Sequence, residues 1–269
     1  MILHRFLKAT RRRPERPALL PAALLGLALG CAPTGSGAAT LTVLTAGAFK
    51  PVVLALKDDF ESAGGRSLLV DNDTAGALVR RIAGGERFDI VILPPGALDT
   101  LAKAGRIAGP MTEVARVGIA VAVAAGAPKP DISTVAALRQ TLLDARAVAF
   151  IDPASGGSSG AYLVQMFERL GIADAVRKKS VLVPGGLVAR RLVSGEADLA
   201  LHQTSEILAV KGAELVGPLP AEVQNETAYS AAVAVDTSHR AEAQAFIDLL
   251  AGPKAAEVRA EKGMLPPRP

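Results

Sequence analysis

The stretch VAFIDPASGGSSGAYLVQMFERLG, residues 148–171, has the order of elements that decides the fold class. It opens with four apolar residues typical of a buried strand, breaks at Pro153, and continues from Ser158 with apolar residues at helical spacing. Glycine and serine between the two elements bring backbone N–H groups to a helix N-terminus, where an anion binds favourably. Residues 156–160 also fit the nucleophile-elbow pattern of serine hydrolases. The stretch therefore poses a choice between an anion-binding loop and a catalytic serine.

The same alternation of strand and helix continues outside this stretch. Upstream, short β-branched runs at residues 41–45, 67–71 and 89–93 each precede a helical pattern. Strands that alternate with helices of this length form parallel sheets with helices on both faces. We therefore predict an α/β fold with parallel-rich sheets.

Two longer runs of small apolar residues do not follow this alternation. They are VGIAVAVAA at residues 117–125 and YSAAVAVD at residues 229–236. We interpret them as two hinge strands that join two sheets. They divide the chain into lobe 1, residues 40–117 and 229–269, and lobe 2, residues 118–228, with a cleft between the lobes.

The N-terminal segment, residues 1–38, has the pattern of a secretory signal peptide. Basic residues come first, then the apolar stretch 18–30, then small residues. The sequence LALGC places Cys31, the only cysteine, where a lipoprotein would be acylated. The alternative is cleavage near residues 36–38, which releases the protein. In both cases we expect a periplasmic or extracytoplasmic location, with a lipid anchor at Cys31 in the first.

The distribution of charge argues against a nucleic-acid partner. The formal net charge of the whole chain is +4, but residues 1–38 hold six basic residues and one acidic residue, a net of +5. The rest of the chain therefore carries −1. Nucleic-acid binding depends on an excess of basic residues, so we expect no such partner.

Five loops that follow predicted strands have a common composition. Each is rich in glycine, serine or threonine, carries little charge, and leads into a predicted helix: residues 44–51, 71–78, 152–162, 183–191 and 201–206. In open α/β sheets ligands bind beyond the carboxyl ends of the strands. One such loop alone is typical of a helix cap. Five loops on one rim favour a cleft that binds a small anion.

Several sequence fragments in these elements occur in a characteristic order: LTVLTAGAFKPVV, DTAGALVRRIAGGERFDIVIL, DPASGGSSGAY, LVSGEADLAL and GPKAAEV. In this order the chain resembles the type II periplasmic solute-binding proteins of ABC importers, and among them the molybdate-binding proteins. The resemblance covers residues 41–265. It implies a two-lobed fold that closes on a small anion and delivers it to an ABC permease in the inner membrane. We expect a monomer without a cofactor.

The resemblance also indicates candidate ligand-binding positions. The family's serine hydroxyls of the first two loops are replaced here by Ala48 and Ala75, and its tyrosine by Gln203. We therefore expect an organic carboxylate or another oxyanion, with molybdate or tungstate as the alternative. Nearby hydroxyls and backbone N–H groups supply further donors. The complete candidate set is Thr45, Ala48, Thr74, Ala75, Ser158, Ser159, Gly185 and Gln203.

Three charged residues lie close to these loops. Lys50 follows the first loop, and Arg190 and Arg191 end the fourth. Guanidinium groups suit carboxylate recognition, because they donate two parallel hydrogen bonds. On helices, however, such residues are usually exposed or paired with acidic side chains. The sequence leaves open whether any of the three reaches the cleft.

Two other classes of function fit parts of the sequence. A serine hydrolase would use Ser158, Asp198 and His239, but residues 152–155 separate the strand from the helix where a nucleophile elbow has a sharp turn. An extracellular sensor domain would share the architecture. No metal-binding motif occurs in the sequence. We therefore expect a binding protein with no catalytic residue and no metal site.

Overall fold

The computed structural model describes residues 40–268, so the predicted signal peptide and Cys31 lie outside it. Its strands are β1 (Leu41–Ala46), β2 (Leu68–Asp73), β3 (Ile90–Leu93), β4 (Ile107–Ala124), β5 (Val148–Ile151), β6 (Ser180–Val183), β7 (Leu199–Gln203), β8 (Ala213–Pro218) and β9 (Glu226–Ala234). Its helices are α1 (Lys50–Ser62), α2 (Ala75–Ala83), α3 (Pro95–Lys103), α4 (Val135–Asp144), α5 (Ser158–Arg169), α6 (Ala173–Arg177), α7 (Arg190–Val193), α8 (Thr204–Leu208), α9 (Arg240–Ala251) and α10 (Pro253–Glu261). Within this range, every helix is too short or too polar to cross a membrane.

The strands form two mixed regions that meet at β4 and β9. The order of hydrogen-bonded neighbours is β2-β1-β3-β9-β4-β7-β5-β6, with β8 also paired to β4. The pairs of β1 with β2 and β3, and of β5 with β6 and β7, are parallel. The pairs that involve β4 or β9 are antiparallel. The predicted α/β fold is confirmed. Each region of the sheet is mixed, because β4 and β9 run antiparallel to the strands beside them.

Strand β4 is buried on both faces because its side chains alternate. Residues Ile119, Val121 and Val123 pack into one hydrophobic cluster, while Ala120 and Ala122 pack into another on the opposite face. Successive side chains of a strand point to opposite faces of the sheet, so one run of small and branched apolar residues can serve two layers of helices. This explains why the run reads as continuously apolar in the sequence.

The hydrophobic core of the described residues consists of three clusters. One cluster combines residues between 41 and 117 with residues between 229 and 264. Two further clusters lie between residues 119 and 223. The chain thus folds as a two-lobed α/β protein in which the C-terminal helices α9 and α10 belong to the core of lobe 1. The exact lobe boundaries stay a prediction.

Candidate functional site

A small cavity lies where the carboxyl ends of strands from both lobes meet. Its volume is about 30 Å³. Because parallel strands end at the same edge of a sheet, the loops after β1, β2, β5 and β7 all reach it. It is lined by Ala46, Gly47, Ala48, Asn72, Asp73, Thr74, Ala75, Ile151, Gly157, Ser158, Ser159, Gly186, His202, Gln203, Glu206 and Tyr229.

Hydrogen bonds between the lobes surround this cavity. The N–H of Gly76 donates to the carbonyl of Gly156 at 3.1 Å. The hydroxyl of Thr74 donates to the carbonyl of Ser155 at 2.7 Å, and that of Ser205 to the carbonyl of Ala48 at 2.8 Å. Each bond joins a residue of lobe 1 to a residue of lobe 2. The structure is therefore a closed conformation, in which the cleft is nearly filled by its own walls.

Six of the eight candidate ligand-binding residues line the cavity: Ala48, Thr74, Ala75, Ser158, Ser159 and Gln203. Thr45 does not, because its buried hydroxyl donates to the carbonyl of Ala46 at 3.1 Å. In the fourth loop Gly186 lines the cavity rather than Gly185. The hydroxyl of Thr74 caps α2 by accepting from Ala77 N–H, besides bridging the lobes. The binding roles of these residues stay a prediction.

The N-terminus of α5 opens onto the cavity. Gly157 is the N-cap residue, and within the described residues no side chain caps the helix. Ser158 and Ser159 occupy its first turn, so their backbone N–H groups have no partner inside the helix. A side chain at Gly157 or Gly160 would overlap Ile151 of β5. These two glycines therefore let α5 pack against the end of β5, and Gly157, Ser158 and Ser159 line the cavity.

A chain of polar side chains crosses the cavity wall. The hydroxyl of Tyr229 donates to Gln203 Oε1 at 2.8 Å, and Gln203 Nε2 donates to Ser158 Oγ at 3.3 Å. Burial, followed by the nearby Glu206, raises the pKa of Tyr229, which therefore stays a hydroxyl. Because Ser158 Oγ accepts from Gln203, its own hydrogen is free to be donated to a ligand.

His202 and Glu206 form a buried acid–base pair that the sequence analysis missed. His202 Nε2 lies 3.2 Å from Glu206 Oε2, and the two side chains are 2% and 8% exposed. Burial raises the pKa of Glu206 to about 8 and lowers that of His202 to about 3. At neutral pH the pair therefore carries a protonated carboxyl and a neutral imidazole. Their spacing of four residues in LHQTSE was the available signal.

Two further polar groups set the charge of the cleft. Lys50 Nζ donates to Asn72 Oδ1 at 2.6 Å, so the amine is held beside the cavity. Asp73 also lines the cavity, where its carboxylate accepts from Thr74 N–H and lies 3.6 Å from Arg81. The positive charge of Arg81 offsets the negative charge of this carboxylate. Asp73 therefore repels an anion in the cleft only weakly.

The structure does not assemble the hydrolase triad that the sequence allowed. The carboxylate of Asp198 accepts from the N–H groups of Arg146 and Ala147 at 2.9 and 2.8 Å. His239 lies in a different cavity, where its N–H donates to Thr237. The hydroxyl of Ser158 accepts instead from Gln203 Nε2. Residues 40–268 contain no group of three or more His, Cys, Asp or Glu side chains placed to hold a metal ion.

A cleft between two α/β lobes joined by paired long strands is the architecture of type II periplasmic solute-binding proteins. The chain belongs to the bacterial extracellular solute-binding protein family, whose model matches residues 41–265. The expected resemblance is thus confirmed, and the family indicates a small solute and a location outside the cytoplasm. Lipid anchoring through Cys31 and the individual partners stay predictions.

Three known proteins illustrate this relationship. An aconitate isomerase of Pseudomonas sp is 35% identical over 234 residues, which cover 84% of this chain and 88% of that protein. The periplasmic molybdate-binding protein of Azotobacter vinelandii has a TM-score of 0.72 at 21% identity, over 85% of this chain and 100% of that chain. The sulfate-binding protein of Mycobacterium tuberculosis has a TM-score of 0.70 at 19% identity, over 84% and 86%. The molybdate-binding and sulfate-binding proteins share the fold of this chain. The relative that is 35% identical is named as an enzyme.

Proposed function

We propose that this protein is an extracytoplasmic isomerase that binds a small unsaturated polycarboxylate such as aconitate in its cleft. The observation that carries the proposal is the buried pair of His202 and Glu206 on the cavity wall. The 35% identical aconitate isomerase supports it. This proposal replaces the expectation of a pure binding protein.

A cleft that only captured an anion would gain nothing from this pair. Burying a carboxyl and an imidazole costs free energy, because both lose water. His202 Nδ1 is buried without a hydrogen-bond partner among residues 40–268, which adds to that cost. Strongly perturbed pKa values in a cleft are typical of groups that transfer protons. The pair is therefore better explained by chemistry than by structure.

The reaction needs a proton donor and acceptor and nothing else. Aconitate has three carboxylates on a three-carbon chain with one double bond. A hydrogen on its CH₂ carbon is acidified by the adjacent double bond and carboxylate. Removal of that proton gives an allylic anion, in which the former double bond gains single-bond character and can rotate. Return of one proton to either end carbon restores aconitate as the cis or trans isomer, so atoms and charge balance.

The geometry indicates how the pair would act. Because the pKa of Glu206 is about 8, roughly one molecule in ten carries it as a carboxylate at pH 7, and in this form it takes the proton from the substrate carbon and then returns it. Glu206 Oε1 faces Gly47, since a Cβ there would lie 2.5 Å from this oxygen. The hydroxyl of Ser158 and the N–H groups of α5 would bind the substrate carboxylate onto which negative charge is delocalised.

The second candidate function is transport, in which the cleft delivers its anion to an ABC permease. Family membership and the structures of the molybdate- and sulfate-binding proteins favour it. The two functions share the closed cleft and differ only in whether bound ligand is converted. Isomerisation is therefore the measurement that separates them.

The test is to incubate the purified protein with cis-aconitate or trans-aconitate and follow their conversion by proton NMR. We expect interconversion, with deuterium entering the substrate in heavy water. Glu206→Gln should lower kcat by about 10²-fold or more, which is the usual contribution of one acid–base group. Its affinity for propane-1,2,3-tricarboxylate, which has no double bond, should change less than threefold.

Glu214→Gln is the matched control, because Glu214 is exposed on β8 and faces Lys129 at 4.0 Å. It should keep full activity. Binding of both isomers without conversion would make the protein a carrier. Full activity of Glu206→Gln would place proton transfer on another residue.

A further inference from the structure

A second, larger cavity adjoins the cleft. Its volume is about 380 Å³, and four residues line both cavities: Gly47, Asn72, Gly186 and Glu206. The inner cavity of about 30 Å³ has room for about two water molecules. A molecule with several carboxylates is much larger than this. In the closed conformation such a ligand must extend from the inner cavity into the outer one.

The outer cavity has cationic side chains from both lobes. Lys50 of α1 belongs to lobe 1 and Arg190 of α7 to lobe 2, and both line it. Lys50 is held in place by its hydrogen bond to Asn72, which lines both cavities. The acidic residue on this wall is Glu206, which is uncharged at neutral pH because burial raises its pKa. The outer cavity is therefore a positively charged space.

A glycine keeps the passage between the two cavities open. Any side chain on Gly47 would collide with Glu206 Oε1, because a Cβ there would lie 2.5 Å from it. The carboxyl of Glu206 thus lies at the junction of the cavities. A ligand that spans the junction presents its central carbons, rather than its terminal carboxylates, to this group.

We propose that the outer cavity is a second carboxylate subsite, in which Lys50 and Arg190 bind the distal carboxylates of the ligand. The first carboxylate then lies in the inner cavity against Ser158. This inference rests on the proposed function, since it specifies polycarboxylates as the substrate class. Because Lys50 and Arg190 belong to different lobes, distal carboxylates that contact both of them stabilise the closed conformation. Ligands with one carboxylate lack these contacts and therefore bind less tightly.

The experiment measures binding of a probe that cannot isomerise. Propane-1,2,3-tricarboxylate is titrated calorimetrically, and propanoate is measured by competition with it. Lys50→Met and Arg190→Gln should each weaken tricarboxylate binding tenfold or more and propanoate binding less than threefold. Circular dichroism and the apo Tm check that both variants are folded.

Lys103→Met and Arg191→Gln are the matched controls. They remove the same charges, but Lys103 lies on α3 and Arg191 pairs with Glu196 at 2.8 Å. They should leave both affinities within twofold of the parent protein. Unchanged tricarboxylate binding by Lys50→Met and Arg190→Gln would overturn the subsite, and so would equal weakening by the controls. If the subsite is overturned but the parent protein still isomerises aconitate, the proposed function stands. If the parent protein binds the tricarboxylate tightly but does not isomerise aconitate, only the proposed function is overturned.

Discussion

At the scale of single residues, the protein shows how burial changes the chemistry of ordinary side chains. His202 lies near the end of β7 and Glu206 in α8, and both side chains are buried. Desolvation disfavours the charged form of each group, so the carboxyl keeps its proton and the imidazole stays neutral. In water at neutral pH the carboxyl would be ionised instead. The proposed catalytic pair is therefore created by its environment.

The same shifts predict how stability depends on pH. The pKa of Glu206 is about 8 in the folded protein and 4.5 ordinarily, so folding binds a proton between these values and stability falls as pH rises. The pKa of His202 is about 3 instead of 6.5, so stability rises with pH between those values. The two effects oppose each other from pH 4.5 to 6.5. Between pH 6.5 and 8 we expect the free energy of unfolding to fall by up to about 1.4 kcal/mol per pH unit.

Urea denaturation at pH 6.5, 7.0 and 7.5 measures this slope. In Glu206→Gln the decrease should disappear, because glutamine does not titrate. Glu214→Gln, at an exposed position, should retain it. A parent protein whose stability is flat over this range would show that Glu206 is already ionised.

At the scale of elements, the helix N-termini decide how the lobes meet. Helix α2 of lobe 1 and the loop before α5 of lobe 2 approach each other through Gly76 and Gly156, whose backbones are hydrogen-bonded. Residue 156 must also be glycine because its φ is +82°. No room remains for a side chain at this contact. The close approach brings the first turns of both helices to the same cavity.

Gly76→Ala should therefore weaken ligand binding without unfolding the protein. A Cβ at residue 76 would lie 2.8 Å from the Cα of Gly156, so the lobes could not close fully. Alanine is also the better helix former, so the apo Tm should not fall. We expect calorimetry with propane-1,2,3-tricarboxylate to show at least a tenfold higher Kd.

Gly96→Ala provides the comparison. Gly96 lies in α3, where an added Cβ meets no atom within 4 Å, so its Kd should equal that of the parent. Equal affinities of the Gly76 and Gly96 variants would mean that the ligand-bound protein does not use this contact between lobes.

At the scale of the whole molecule, the site exists only because two lobes close on each other. Strand β4 pairs with β9 in one region of the sheet and with β7 and β8 in the other, so it connects the two regions. Closure brings hydroxyls, helix N-termini and the buried acid–base pair together and removes water. Electrostatic interactions are stronger in such a water-poor site. A ligand that completes the cavity should stabilise the closed conformation.

This argument predicts which anions stabilise the protein. A ligand at one hundred times its Kd adds about 2.7 kcal/mol of stability, which corresponds to a Tm increase of roughly 5–10 °C for a protein of this size. We expect such an increase with aconitate or propane-1,2,3-tricarboxylate at millimolar concentration. Molybdate should give a smaller one, since Ala48 and Ala75 lack hydroxyls. Differential scanning calorimetry measures both, and a larger increase with molybdate would contradict the polycarboxylate proposal.

Much of the site could be read from loop composition, because glycine and hydroxyl residues after strands indicate where helices begin. Ser158 and Ser159 were found in this way and Gln203 through the family resemblance, and all three line the cavity. Thr45 does not line the cavity, and its residue type does not reveal that its hydroxyl bonds to the neighbouring carbonyl. His202 was not among the candidate site residues, because its sequence context does not position it as a base. Its partner Glu206 is identified only when both side chains are seen to be buried.

The sequence by itself determined the α/β class, the alternation of elements and the two long strands, because these follow from local hydrophobic periodicity. It also determined that the ligand loops lie on one rim, since parallel strands end at a common edge. The tertiary structure alone decided which side chains face the cleft, how close the lobes come, and that Lys50 and Arg190 share one cavity. The physical reason is that burial and inter-lobe contact depend on residues far apart in the chain. The pKa of Glu206, and with it the proposed chemistry, is set by those contacts.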